Sequence, residues 1–310
     1  MHKPSVTAFA PASVGNVASG FDILGHALAG QGDRVTVRGG TRPGVRIRRI
    51  EGLNDQLPIT TERNTAGRAV QSLMEAFDQD VPIELDIHKG IPLASGLGGS
   101  AASAVAAVVA ANAWLGLKLS PRELYPFALA GEAVASGSAH GDNIAPQLLG
   151  GLVLVAEDEL IELPVPEGLT AVAVHPHCQV RTAEARAMLQ QPFELKPVVQ
   201  QTTYLAQLIA GCYRNDLPLV ARGLKDVLIE PRRSSLIPGF EAVQQAALEH
   251  GALAAAISGA GPTVCAWLDG LDSAQAVAGA MQAAFKQHGL DSEHLICPVD
   301  SPGACIEVID

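Results

Sequence analysis

The sequence predicts an α+β protein of two domains, and three observations carry that expectation. A loop of glycine and serine, Pro92-Leu93-Ala94-Ser95-Gly96-Leu97-Gly98-Gly99-Ser100, runs straight into an Ala/Val-rich stretch that reads as a buried helix. The second half follows the order strand, helix, strand, strand, helix, strand, which is the split βαβ order of a ferredoxin-like domain, here with extra helices. Between the halves lies Pro164-Val165-Pro166-Glu167-Gly168, a run that fits no regular element. The expected boundaries are therefore 1–165 and 166–310.

Each element has a local reason. In the first half, strands are expected at 7–10, 34–38, 45–50 and 83–88, where apolar and polar residues alternate or β-branched residues cluster. Helices are expected at 65–77, 98–117 and 121–136; Pro121 after Ser120 is a start signal, because proline suits the first helical position. A strand at 151–156 closes this half. The second half opens with an apolar strand at 171–175, followed by helices at 183–190, 196–214, 218–229 and 240–249. Two short strands, 252–257 and 264–268, flank a Gly-Ala-Gly-Pro turn. A helix at 273–288 and a strand at 304–309 finish the chain.

Composition narrows the class. Hydrophobic residues make up 48% of the 310 and charged residues 17%, which argues against disorder and for a sizeable core. A formal charge of −11 disfavours nucleic acid and anionic membrane as partners, and 4% aromatics disfavours a base-stacking platform. The five cysteines, Cys178, Cys212, Cys265, Cys297 and Cys305, form no Cys-x-x-Cys pair and read as free thiols in a reducing compartment. No basic segment followed by an apolar one opens the sequence, and the helix at 101–117, broken by Ser103 and Asn112, is too short to span a bilayer. The expected location is the cytoplasm.

The glycine loop is the strongest chemical signal. Glycine lets backbone approach a ligand closely, and the first N–H groups of the following helix have no internal partner. With the helix dipole they form a site for phosphate. Ser95, Ser100 and Ser103 could add hydroxyl donors or a metal ligand. Small residues at a helix start also serve close packing alone, so that reading stays open. The P-loop motif is excluded, since no lysine follows these glycines. Gly96, Gly98 and Ala101 do fit G-x-G-x-x-A, but the strand at 83–88 ends well before Gly96. No acidic residue closes a later strand where a ribose partner belongs.

Pro92, Gly96, Leu97, Gly98, Ser100, Ala101 and Ala102 resemble the central phosphate motif of the GHMP small-molecule kinases. Pro11-Ala12-Ser13-Val14-Gly15-Asn16 through Phe21-Asp22 and Gly25, and Ile257-Ser258-Gly259-Ala260-Gly261-Pro262-Thr263, resemble the family's other two motifs. Gly141-Asp142-Asn143-Ile144-Ala145-Pro146 points within the family to the branch acting on homoserine. The resemblance implies a nucleotide-binding α/β domain ahead of the ferredoxin-like one. It implies ATP as co-substrate, Mg²⁺ as cofactor and a homodimer. Two alternatives stay open: a GHMP-type kinase for another small alcohol, and a sensor of amino acids or nucleotides without catalysis.

The resemblance also implies site residues. Pro92, Gly96, Leu97, Gly98, Gly99, Ser100, Ala101 and Ala102 would surround the phosphates, with Ser100 and Glu132 as metal ligands. Asn16, Asp22, His140, Asn143, Arg186 and Arg233 would hold the amino acid: an ammonium wants a carboxylate, and a carboxylate wants a guanidinium fork. Arg232 competes with Arg233 for that position, and Asp22 could instead be a turn or cap residue. Asn64 resembles a residue near adenine and fits a helix N-cap equally well. Ser258, Gly259, Gly261 and Thr263 belong to the C-terminal glycine motif. Lys89 either approaches phosphate or stays exposed. Where many GHMP kinases carry a catalytic aspartate this chain has Asn143, which cannot accept a proton near neutral pH. Gly99 stands where the family usually has serine.

Overall fold

Alternation of small apolar residues with Thr7 and Phe9 makes Val6–Gly15 a strand, β1, whose inner face is Val6, Ala8 and Ala10. Past Pro11 every residue of β1 is buried, because a second layer covers what was the outer face. The computed structural model describes residues 5–53, 57–136, 140–157 and 159–310. The first half continues through β2 (Leu24–Gly39), β3 (Val45–Gly52), α1 (Thr65–Ala76), β4 (Ile83–Lys89), α2 (Gly99–Leu115), α3 (Pro121–Ser136), α4 (Ile144–Leu149), β5 (Leu152–Ala156) and β6 (Glu159–Leu163). The second half contains β7 (Leu169–Pro176), α5 (Thr182–Ala187), α6 (Leu195–Arg214), α7 (Leu217–Gly223), α8 (Glu230–Arg233), α9 (Phe240–Glu249), β8 (Ala254–Ile257), β9 (Val264–Asp269), α10 (Ala274–Gln287), β10 (Ser292–Pro298) and β11 (Cys305–Ile309).

Two sheets result. The larger runs β11-β1-β2-β4-β3, and β2 is long enough to bend and also carry β5, with β6 beyond it. The β1–β2 register jumps between Pro11–Gly32 and Ala12–Leu28, which lets the two halves of β2 serve different neighbours. The smaller sheet runs β10-β7-β9-β8 with every pair antiparallel. That is the 4-1-3-2 strand order of a ferredoxin-like sheet. Helix α2 is apolar on all sides, so it lies in the interior, packed on β1 and β2 and against α1 and α3. It stops at Gly116, whose left-handed conformation lets its N–H reach the carbonyls of Asn112 and Ala113.

The ferredoxin-like unit closes differently from expectation. Its last strand is β10, while 304–309 crosses back as β11 to pair with β1, Val6 opposite Ile309. The edge strand β10 has mostly half-buried residues and ends on a proline, so its pattern is weak. Elements β6 and α4 were not expected either. The helix expected at 218–229 ends early. Asp226 accepts hydrogen bonds from the N–H groups of Leu228, Ile229 and Glu230, which starts α8 afresh and brings Arg233 inward. A buried bond joins the two sheets: Trp267 Nε1 donates to His26 Nε2 at 3.1 Å. Burial lowers the His26 pKa to about 4, so the ring is a neutral acceptor.

Candidate active site

A cavity of about 780 Å³ lies at the N-terminus of α2 and extends between the two sheets' loops. It is lined by Asn16, Asp22, Asn64, Pro92, Gly96, Gly98, Gly99, Ser100, Ala101, Glu132, His140, Asp142, Asn143, Arg186, Arg233, Gly259 and Gly261, among others. Most sequence-expected residues therefore meet on one wall or another. Leu97 and Ala102 do not line it; both are core residues that hold the loop from behind. Ser258 and Thr263 also stay outside the lining, with a different task described below.

The loop is built by backbone. Gly98 has φ 68° and precedes α2 without any side-chain cap, so the first helical N–H groups are left for a ligand. A Cβ at Gly98 would collide with Ser13 Oγ and would lie 2.7 Å from Gln147 Nε2 and 2.9 Å from Asn143 Oδ1. Gly96 has φ 82°, and a Cβ there would lie 2.5 Å from the Ser258 carbonyl oxygen and 2.8 Å from that of Gly261. Glycine is thus required at both places by the protein's own packing, besides any ligand. At Gly99 a Cβ would lie 3.1 Å from Ile91 Cγ2, a tight contact that a serine there would require Ile91 to relieve by a few tenths of an ångström.

Two of the three serines are bonded within the loop and the layer beneath it, away from Glu132. Ser95 Oγ accepts from Leu97 N. Ser103 is buried and donates to Asp33 Oδ2 at 2.6 Å. Lys89, far from exposed, is buried in an ion pair with Asp33 and also donates to the Gly99 carbonyl and Ser103 Oγ. Asp33 Oδ1 accepts from the N–H groups of Gly90 and Ile91. The charge under the loop is therefore compensated on all sides, as a buried pair requires.

Ser100 remains available to the cavity. Its hydroxyl lies 3.0 Å from Glu132 Oε1, which comes from α3. Burial pushes the Glu132 carboxyl up to about 7, partly offset by the Ser100 hydrogen bond. A hydroxyl beside a desolvated carboxylate is hard-oxygen chemistry, and a divalent cation there would relieve the desolvation. Among the described residues no cluster of three or more His, Cys, Asp or Glu could cage an ion. This fits Mg²⁺, which keeps waters and phosphate oxygens as its other ligands, and does not fit a structural metal.

The opposite wall is built by side chains. Asp22, at φ 62° in the turn between β1 and β2, faces Arg186 of α5 in a two-pronged pair of 2.9 and 3.1 Å. His140 Nδ1 lies 3.5 Å from Asp22 Oδ2, and burial holds its pKa below the usual value. Asn16 braces the turn: its Oδ1 accepts from Asp22 N and its Nδ2 donates to the Gly259 carbonyl. Arg233 is buried, donating to the carbonyls of Ala185 and Gly259, and forms no ion pair among the described residues. Arg232 points elsewhere, to the carbonyls of Gln191 and Pro192. Phe21 lies beneath both guanidinium groups of the wall, 5.8 Å from Arg186 and 5.1 Å from Arg233. Asp142, whose carboxyl burial pushes up to about 7, packs its carboxyl against the backbone of Gly15 and Asn16.

The C-terminal motif ties the walls together. Ser258 Oγ donates to the Gly96 carbonyl at 2.7 Å, Thr263 Oγ1 to that of Ser95 at 2.7 Å, and Gly259 N to that of Gly15 at 3.1 Å. Asn64 is an N-cap, accepting from Ala66 N and Gly67 N while its Nδ2 donates to the Pro58 carbonyl, and it still borders the cavity. Ser13 and Phe21 stand in the N-terminal motif with no role expected of them, and nothing in the sequence singles out Gln147 or Asp33. Ser13 carried a usable signal, a polar residue between Ala12 and Val14 in a strand buried on both faces.

Two family descriptions match the chain: GHMP kinases N terminal domain over residues 64–151 and GHMP kinases C terminal over residues 208–287. The chain is 53% identical over 297 residues to a homoserine kinase of Xanthomonas campestris, covering 96% of this chain and 92% of that protein. It is 43% identical to a homoserine kinase of Chlorobium phaeobacteroides, covering 97% of this chain and 98% of that one. The crystal structure of a homoserine kinase from Cytophaga hutchinsonii superposes with a TM-score of 0.94 at 42% identity, covering 98% of this chain and 97% of the other. A mevalonate kinase of L. major, at 17% identity and a TM-score of 0.68, shares the fold.

Proposed function

The chain belongs to the homoserine kinases of the GHMP kinase family, and from that premise we propose how its cavity divides between two substrates. The enzyme transfers the γ-phosphoryl group of ATP to the hydroxyl of L-homoserine, a step of threonine biosynthesis. We assign the glycine-loop wall to ATP and the Asp22–Arg186–Arg233 wall to homoserine. The observation that carries this division is Arg233, a buried guanidinium that among the described residues donates to carbonyls and forms no ion pair, beside a self-neutralised Asp22–Arg186 pair. A buried cation without a counter-ion is a carboxylate receptor. The neighbouring pair can exchange partners with a zwitterion at no net change of charge: Asp22 takes the ammonium and Arg186 joins Arg233 on the carboxylate.

On the other wall, backbone N–H groups of Gly99, Ser100 and Ala101 face the phosphates, and Gly96 and Gly98 allow close approach. Asn64 with Leu57, Pro58 and Ile87 borders the adenine end. Ser100 and Glu132 would hold Mg²⁺, which supplies neutralisation of phosphate charge when bound. Asn143 cannot take a proton, so the homoserine hydroxyl oxygen bonds the γ-phosphorus as the bond from that phosphorus to the ADP leaving group breaks, the loop dipoles stabilise the transferring group, and the hydroxyl proton passes late to a phosphoryl oxygen. No helix among the described residues is long and apolar enough to cross a membrane. We place the enzyme in the cytoplasm as a homodimer, on the family resemblance.

The test is turnover with Mg-ATP and a panel of homoserine, serine, mevalonate and galactose, followed by ADP release. Homoserine should be preferred by more than tenfold in kcat/KM. Equal use of galactose would remove the charged wall from acceptor recognition.

A further inference from the structure

Two residues with no role assigned so far hold the Asn143 side-chain amide, which lies at the junction of the two walls. Gln147 of α4 and Ser13 of β1 are both fully buried. Gln147 Nε2 donates to the Gly98 carbonyl and to Ser13 Oγ, each at 3.0 Å. A carbonyl only accepts, so this contact fixes which end of the Gln147 amide faces Gly98. Ser13 Oγ therefore receives a proton from Gln147, and its own single proton goes to Asn143 Oδ1 at 2.9 Å. Turning the Asn143 amide over would put two donors on Ser13 Oγ and leave the serine proton without an acceptor. The polarity is thus determined step by step: Gln147 to Ser13 to Asn143.

We propose that Ser13 and Gln147 are positioning residues for phosphoryl transfer, holding the Asn143 amide so that its Nδ2 hydrogens point into the cavity toward the reacting oxygens. This rests on the reading of the charged wall as the acceptor site. Asn143 lines the cavity, and among the described residues its Nδ2 has no hydrogen-bond partner. A neutral amide donor there orients the attacking hydroxyl or a phosphoryl oxygen, work that a carboxylate in the same place would do in the opposite sense, as an acceptor. Because Gln147 also holds the Gly98 carbonyl, the relay sets the glycine loop and the acceptor-side amide in one frame.

The relay is tested by a double-mutant cycle on kcat with Ser13→Ala and Asn143→Ala. Loss of one positioning hydrogen bond should lower kcat by about tenfold, at about 1.4 kcal/mol per decade, with the KM for ATP little changed. In the Asn143→Ala background, Ser13→Ala should have no further effect on kcat, since a residue acting through another shows non-additive losses. Gln147→Glu, nearly isosteric, should mimic Ser13→Ala, because a carboxylate cannot donate to the Gly98 carbonyl. Multiplying losses in the double variant, or an unchanged kcat in Ser13→Ala, would overturn the proposal. If Ser13→Ala fails to fold by circular dichroism, the Gln147→Glu and Asn143→Ala cycle decides: the loss of kcat from Gln147→Glu should shrink in the Asn143→Ala background, leaving the part that acts through the Gly98 carbonyl, and an undiminished loss would overturn the proposal. Failure of the acceptor reading shows elsewhere, as an unchanged homoserine KM in Arg233→Lys.

Discussion

The two walls of the cavity are made of different material. The wall proposed for ATP is backbone: a contiguous loop, two left-handed glycines and a helix end, braced from behind by Lys89, Asp33, Ser258 and Thr263. The wall proposed for homoserine is side chain: Asp22, His140, Arg186 and Arg233 arrive from four separate segments, Asp22 pairing with Arg186 and His140 while Arg233 rests on the Ala185 and Gly259 carbonyls. A backbone wall is pre-organised and reads generic chemistry, whereas a side-chain wall reads a particular molecule and must give up internal bonds to do so. Perturbing the first should damage turnover with any acceptor; perturbing the second should change which acceptor is used.

The largest effect is expected at Glu132. Replacement by Gln should lower kcat by about 100-fold or more, since even outer-shell metal partners are worth 10- to 100-fold. The same variant should unfold at a higher temperature than the parent at pH 7 without ligand, because the desolvated carboxyl is gone. A steady-state assay and a thermal melt read both; normal turnover at saturating magnesium would detach Glu132 from the ATP wall.

Gly96→Ala comes next. It combines positive φ with a methyl against the Ser258 and Gly261 carbonyls, and should cost about 1–3 kcal/mol of stability. The KM for ATP should rise while the ranking of acceptors stays as it was. A changed ranking would mean the walls are not separable.

Asp22→Asn is the converse. It should lower homoserine kcat/KM by about tenfold or more, as loss of a buried charge contact does, and leave nucleotide affinity alone. Discrimination against an analogue lacking the amino group should shrink. Were Asp22 only a turn residue, stability would fall and discrimination would hold.

The smallest effect is in pH dependence. Glu132 and Asp142 both titrate near 7 in the folded protein, above their ordinary range. At these two carboxyls the folded state then binds more protons than the unfolded one, so their contribution to ligand-free stability is largest in acid. It declines as pH rises from the ordinary carboxylate range through about 7. Magnesium affinity should run the other way, weakening as pH falls below about 7, because the cation competes with the proton on Glu132. Melts and magnesium titrations between pH 5 and pH 8, in roughly unit steps, read the opposed slopes.

The contrast between walls also explains what the sequence made legible. A backbone site occupies consecutive residues, so the loop from Pro92 to Ala102 and the helix behind it could be found from glycine placement and apolar content alone. Asp22, Arg186 and Arg233 are separated by more of the chain than any local pattern spans, and came only through family resemblance. Arg233 depended on Asp226 restarting a helix, which no periodicity announces. In the fold, the buried end of β1 and the first half of β2 lost their alternation where the second sheet covers them, and Gly25, Gly30 and Gly32 made that stretch read as loop. Gln147 looked like an ordinary helix residue because its importance lies in hydrogen-bond direction, which composition does not encode.

The return of β11 to β1 has a consequence for how the molecule comes into being. Val6 pairs with Ile309, and Asp310 N bonds the Ser5 carbonyl at 3.0 Å, so one ladder joins segments about as far apart in the chain as any two can be. During synthesis the outer edge of β1 stays bare until β11 has left the ribosome, and closing so distant a contact is entropically slow. A bare edge strand is a template for pairing with other nascent chains. The first domain therefore depends on the chain beyond the second, and a fragment ending near 165 would expose the edge that the intact enzyme covers.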